Sequence, residues 1–286
     1  MTDRTEERPT GIDNTTGHEW DGIRELNNPL PKWWLYVFYA TVVFSIVWSV
    51  LYPSVPGLNS YFAGVLGYTQ RDEVAADIAR AAAGQAAFRQ KIRELDVAAV
   101  KADPELNRFS VAGGRVLFAE NCAACHQAGG TGAPGYPSLA DDDWLWGGTP
   151  ADIEHTISVG IRGQHDETRQ SQMPRFLADG MLTAPEVEAV VDHVLSLTGK
   201  APANEKGAQI FAEQCASCHG EDGSGNRELG APNLADQIWL YGGDRAAVRQ
   251  TVAYSRNGVM PAWAGRLDEA SIRMLAVYVH ALGGGE

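Results

Sequence analysis

Phe118-Ala-Glu-Asn-Cys-Ala-Ala-Cys-His126 and Phe211-Ala-Glu-Gln-Cys-Ala-Ser-Cys-His219 are two copies of one phrase, and how that phrase is read decides the fold. Each contains Cys-x-x-Cys-His, the attachment signal for a c-type haem. Two thiols one helical turn apart can add to the two vinyl groups on one haem edge, and the adjacent His then reaches the iron from the same side. The expectation is two covalently bound haem c groups on Cys122, Cys125, Cys215 and Cys218, with His126 and His219 as proximal axial ligands. Four Cys and two His also make an inventory for zinc, and a lone Cys-x-x-Cys makes a thioredoxin-like redox pair. Zinc ribbons, however, place their Cys pairs close together in sequence. Here each pair heads its own copy of a longer repeat.

The repeat continues at one common offset. Pro137-Ser-Leu-Ala-Asp and Trp144-Leu-Trp-Gly-Gly in the first copy answer to Pro232-Asn-Leu-Ala-Asp and Trp239-Leu-Tyr-Gly-Gly in the second. The first copy then carries an insertion, Gln164 to Gln172, before both resume with Met-Pro at Met173-Pro174 and Met260-Pro261. A thioether is a soft ligand, and a His/Met pair raises the potential of a haem. Met173 and Met260 are therefore the expected distal axial ligands. Met is also a common filler of apolar gaps, and in the first copy Met181 and the inserted His165 stand nearby as competitors. In the second copy the competitor, Met274, falls inside the apolar period of the last helix.

A Gly and a Phe precede the first Cys of each motif, Gly114 and Phe118 in one copy, Gly207 and Phe211 in the other. A spacing of four puts each pair on one helix face. The pattern resembles the class I cytochrome c fold, in which such a pair lets the first helix cross closely over the last. Helical periodicity over 186–197 and 271–282 supplies candidates for those last helices. Leu275 and Tyr278 are the expected partners in the second copy, and Val190 and His193 in the first, with His193 read as a packing residue. By the same resemblance, the carbonyls of Pro137 and Pro232 face the free ring nitrogens of His126 and His219, a contact that fixes the tautomer of a ligating His.

Upstream of the repeats the chain changes character. Residues 1–32 are polar, with seven acids against four bases, and lack the apolar core of a signal peptide; residues 1 to about 20 are expected to be poorly ordered. Trp33 to Tyr52 then runs without a charge, long enough at helical rise to cross about 30 Å of hydrocarbon. Trp33, Trp34 and Tyr52 sit where interfacial aromatics belong, and Lys32 makes the N-terminal side the basic side. This predicts a single-pass helix with a cytoplasmic N-terminus. Thr41, Ser45 and Ser49 form a small polar stripe of the kind that lets another membrane helix approach. Residues 53–70 stay uncharged and suit the membrane interface, and the Ala-rich stretch 71–101 reads as a surface helix ending before Pro104.

The domain reading that follows is a cytoplasmic segment 1–32, a transmembrane helix 33–52, a connector 53–104, and cytochrome c-like domains over 105–199 and 200–286. The fold class is mainly α. Acidity is concentrated in the first domain, with thirteen acids against five bases, whereas the second has ten against eight. The densest acidic run is Asp141-Asp142-Asp143, and an acidic surface beside a redox centre would attract a basic electron donor.

Residues 21–53, with Asn27-Asn-Pro-Leu-Pro ahead of Trp33-Trp34, are similar to the N-terminal signature of the dihaem subunit, called CcoP or FixP, of cbb3-type haem-copper cytochrome c oxidases. The resemblance extends through the Ala-rich connector and both haem repeats. It implies a membrane-anchored subunit in the bacterial inner membrane with its haem domains in the periplasm. Such a subunit accepts electrons from a cytochrome c and passes them to a monohaem subunit and then to the catalytic subunit, where oxygen is reduced to water. Its implied partners are those two subunits, the donor and the membrane, with no nucleic acid. Two six-coordinate haems also leave no open site for substrate, so no catalytic centre of its own is expected. Two other readings share the haem motifs: an independent membrane-anchored dihaem shuttle, which has no need of a helix-packing stripe, and a dihaem peroxidase, which needs a haem iron able to open.

Overall fold

The computed structural model describes residues 15–286, and the chain divides after Ala83 into two compact units. The segment 1–14, part of the stretch expected to be poorly ordered, lies outside the described residues. Within the rest of that stretch the expectation is corrected: Thr15–Trp20 (β1) and Ile23–Leu26 (β2) form an antiparallel hairpin with Trp20 facing Ile23. Its turn is Asp21-Gly22, both at positive φ. That dipeptide favours the two-residue turn whose twist matches paired strands, and it was the available signal for the hairpin.

Lys32–Leu51 (α1) is a 20-residue helix with no buried residue, apolar enough to cross a membrane. The hydroxyls of its polar stripe turn back onto the helix: Thr41 Oγ1 donates to the Phe38 carbonyl at 2.7 Å and Ser45 Oγ to the Thr41 carbonyl at 2.8 Å. The expected connector helix is broken in two. Gln70–Glu94 (α2) stops because Asp96 opens a new helix, Val97–Ala102 (α3), by accepting from the Ala99 amide at 2.7 Å. Nor is the connector purely a surface element, since Ile92, Val97 and Val100 are buried.

In the C-terminal unit, Pro104–Asn121 (α4) starts where Asp103 accepts from the amides of Glu105 and Leu106, with proline at the first helical position. One turn, Ala123–His126 (α5), and Pro150–Val159 (α6) follow. Ala184–Leu197 (α7) opens with a capping box between Thr183 and Glu186. The second repeat repeats the order with Glu205–Gln214 (α8), Ala216–His219 (α9), Arg245–Tyr254 (α10) and Glu269–His280 (α11).

The packing of these helices crosses between the repeats. α4 packs on α11, and α6 joins that pair; α7 packs on α8, and α10 joins it. One core gathers Leu106, Phe118, Ile153, Leu275 and Val277 with the end of the connector, and the other gathers Val187, Val190, Val194, Phe211 and Val252. Each core thus takes its last helix from the other repeat. Only a short linker separates α7 from α8, and elements adjacent in sequence tend to pack as neighbours. The predicted helix crossings are present with partners exchanged. A Cβ on Gly114 would overlap the Met274 carbonyl of α11, and one on Gly207 would overlap the Ala189 carbonyl of α7. Phe118 lies 5.4 Å from the Tyr278 ring, and Phe211 5.0 Å from His193.

Candidate haem-binding sites

Both attachment motifs fold alike because both sit where a helix turns sharply. Cys122 ends α4 and Cys215 ends α8, and each carbonyl accepts from the amides of the next Cys and of the His, at 2.9–3.1 Å. The motif is therefore a single helical turn that sets its two sulphurs one turn apart. Cys125 and Cys218 are exposed, whereas Cys122 is half-buried and Cys215 buried. Burial, with a smaller push from the neighbouring thiol, raises Cys122 and Cys215 to about 11. The inner member of each pair is thus a neutral thiol.

The loops after the motifs fix the imidazoles. His126 Nδ1 lies 3.0 Å from the Pro137 carbonyl, and His219 Nδ1 lies 3.0 Å from the Pro232 carbonyl. A carbonyl can only accept, so Nδ1 carries the proton and Nε2 keeps its lone pair for a metal. Burial holds both imidazoles below the usual histidine range, outweighing the opposite pull of those hydrogen bonds. Each ring is thus neutral and oriented.

One cavity is lined by Cys215, Cys218 and His219 together with Met173 of the first repeat. The backbone that presents Met173 is held by the second repeat: Ser255 Oγ donates to the Met173 carbonyl at 2.7 Å, and the Met173 amide donates to Asn257 Oδ1 at 3.4 Å. Met260 is placed reciprocally, packing against the core that also receives Cys122, Ala123 and Trp144. Each methionine therefore lies beside the motif of the opposite repeat. His165 stands apart from the cavity at the second motif, with Nδ1 accepting from the Glu167 amide at 3.1 Å. His193 packs on Phe211, as expected of it.

The cavity at the second motif fits a haem on a test independent of the Cys and His. Trp239 lines it, and its buried indole N–H has no hydrogen-bond partner among the described residues. A haem brings propionate carboxylates, acceptors for such a donor, and a buried donor left unpaired costs about 1–3 kcal/mol. The matching Trp144 donates its Nε1 to the Gly284 carbonyl instead. Arg256 stacks 4.4 Å above Tyr241 in the same cavity wall. Repetition of the Trp-Leu-aromatic-Gly-Gly phrase was the sequence signal for these wall residues, although no role was attached to it. The acidic run is less open than expected: only Asp142 is exposed. Asp143 is half-buried and raised to about 6, by burial first and then by Asp236 and Asp141.

Comparison with known proteins places these features in a family. Residues 12–59 match the family described as the N-terminal domain of cytochrome oxidase-cbb3, FixP; residues 202–279 match cytochrome c oxidase, cbb3-type, subunit III; and residues 111–198 match cytochrome c. The chain is 50% identical over 286 residues to the cbb3-type cytochrome c oxidase subunit CcoP of Cereibacter sphaeroides, covering 99% of this chain and 98% of that one. It is 50% identical to the subunit FixP of Azorhizobium caulinodans, covering 96% and 95%, and 51% identical to FixP of Sinorhizobium medicae, covering 95% of each.

Proposed function

The chain belongs to the CcoP/FixP family of cbb3-type cytochrome c oxidase subunits, and from that premise we propose that it is the membrane-anchored dihaem electron carrier of such an oxidase. The cytochrome c domains make it a haem c protein. Haem c supplies a one-electron iron couple, and two such groups per chain would be held through Cys122 and Cys125, and through Cys215 and Cys218. His126 and His219 would be the proximal ligands. Met173 with His219 would hold the iron of one haem, and Met260 with His126 that of the other. The observation that carries this reading is the cavity that assembles Cys215, Cys218, His219 and Met173 from two repeats, around a Trp239 N–H with no partner among the described residues.

The chain's own residues then have distinct tasks. The proline carbonyls hold the imidazoles in the coordinating tautomer, and the fold buries Cys215 and half-buries Cys122. Thioether ligation favours the reduced iron and so raises both potentials. With Met and His side chains holding each iron, the chain would carry electrons and make no bonds itself. It would accept them from a cytochrome c and pass them to the monohaem subunit and on to the catalytic haem-copper subunit, where oxygen is reduced to water.

In this reading 1–32 is cytoplasmic, 33–52 spans the bacterial inner membrane, 53–104 connects, and the repeats 105–199 and 200–286 jointly build two periplasmic haem domains. The stripe Thr41, Ser45, Ser49 would face a helix of another subunit. Purification in mild detergent tests the assignment. A subunit brings haem b and copper with it; a chain that purifies with haem c alone is an independent shuttle.

A further inference from the structure

The uncharged run that contains α1 does not end with it. Between Trp33 and Gln70 there is no Asp, Glu, Lys, Arg or His, whereas the helix stops at Leu51. The last four carbonyls of a helix have no partner within it and must be met by water, a cap or the chain that follows. Here the chain supplies a donor to each of the four. The Trp48 carbonyl accepts from the Tyr52 amide at 2.9 Å and the Ser49 carbonyl from Ser54 Oγ at 2.8 Å. The Val50 carbonyl accepts from the Val65 amide at 2.9 Å and the Leu51 carbonyl from the Leu66 amide at 3.1 Å. The return is made possible by Gly64, at φ +79° against the Leu51 carbonyl, where no side chain fits.

The loop that makes this return pairs with itself as well. Ser54 N donates to the Phe62 carbonyl at 3.1 Å and Phe62 N to the Val55 carbonyl at 2.9 Å, while Pro53 and Pro56 have no N–H to satisfy. Yet its side chains point outward: Leu58 is fully exposed, and Val55, Tyr61, Phe62, Val65 and Leu66 are all exposed. The amides of Ser54, Gly57, Phe62, Val65, Leu66 and Gly67 are paired within the chain while others are left to water or lipid headgroups; with apolar side chains turned out, that suits the membrane interface rather than the hydrocarbon centre, where lipid offers no hydrogen-bond partners. An uncharged apolar patch of this kind exposed to water would be a liability.

We propose that residues 53–69 are a second membrane element, a loop seated at the headgroup–acyl boundary that holds the C-terminal end of α1, with Arg71 marking the exit to water. The inference rests on α1 spanning the bilayer, and continuity with that helix is what selects lipid as the occupant. Interfacial segments of this type bury their apolar side chains about 5–10 Å deep. Tyr52 and Tyr68, whose rings meet at 5.6 Å, bracket the loop as interfacial aromatics. The loop would thereby set the depth of α1 and resist its sliding along the membrane normal.

The test uses nitroxide labels on the haem-loaded full chain in phosphatidylethanolamine/phosphatidylglycerol discs, where the four native Cys are consumed by haem. Labels at Leu58→Cys and Val65→Cys are compared with Val43→Cys in α1 and Asp77→Cys in α2, by collision with oxygen and with a water-soluble nickel chelate. The expected result is an oxygen-to-nickel ratio at Leu58 and Val65 several-fold above that at Asp77 and below that at Val43, as a depth short of the bilayer centre requires. A nickel-accessible Leu58 beside a lipid-facing Val43 overturns the loop and leaves the spanning helix standing. A nickel-accessible Val43 overturns both. In the assembled oxidase, with the unsubstituted parent subtracted, loss of oxygen access at Leu58 would assign the loop to another subunit and likewise reject lipid.

Discussion

Ile161 and Met260 exchange backbone hydrogen bonds, the Ile161 amide donating to the Met260 carbonyl at 2.9 Å and the Met260 amide to the Ile161 carbonyl at 3.0 Å. This bridge seats the methionine of the second repeat beside the first core, as Ser255 and Asn257 seat Met173 beside the second. Each methionine is thus anchored by the opposite repeat, Met260 by the Ile161 backbone and Met173 by the Ser255 and Asn257 side chains.

The exchange predicts which haem responds to which ligand. In a Cys215→Ser, Cys218→Ser background that retains only the first haem, Met260→His should lower the remaining potential and Met173→His should leave it unmoved. Potentiometric titration decides the matter. A response to Met173 instead would mean that each repeat keeps its own methionine.

Attachment needs both thiols of a pair. Cys122→Ser or Cys215→Ser should each reduce covalently bound haem from two per chain toward one, read by haem staining on a denaturing gel. Unchanged staining would remove the changed residue from the attachment site.

Gly207→Val should destabilise the C-terminal unit by about 1–3 kcal/mol, because the added carbons meet the Ala189 backbone rather than a movable side chain. Gly84→Ala is the control. Its Cβ meets nothing within 4 Å, and α2 should gain about 0.5–1 kcal/mol from the better helix former. Thermal unfolding of the detergent-solubilised chain compares the two.

Asp143 predicts a pH dependence. Burial, then Asp236 and Asp141, raise its carboxyl to about 6, so the folded chain holds this proton to higher pH than the unfolded chain does. Stability should therefore fall as pH rises from the ordinary carboxylate range through about 6. Asp143→Asn should flatten that slope and add on the order of 1 kcal/mol at pH 7, after allowance for solvent screening. A slope that persists in the variant would place the proton elsewhere.

Local chemistry was legible in the chain by itself. Cys-x-x-Cys-His needs one helical turn to set two thiols and an imidazole on one side, and the uncharged run from Trp33 declares its solvent by length alone. The Gly114 and Gly207 crossings were legible too, because only an absent Cβ lets two helix backbones meet. What the repeats could not declare was which partner each element chooses. Phe118 meets Tyr278 and Phe211 meets His193, although the same apolar period would serve either pairing. Two repeats built on one pattern present similar faces, so pattern carries no preference between closing each repeat on itself and exchanging helices. That choice is made by the short linker between α7 and α8 and by long-range backbone bonds such as Ile161 to Met260, which exist only once the chain has packed.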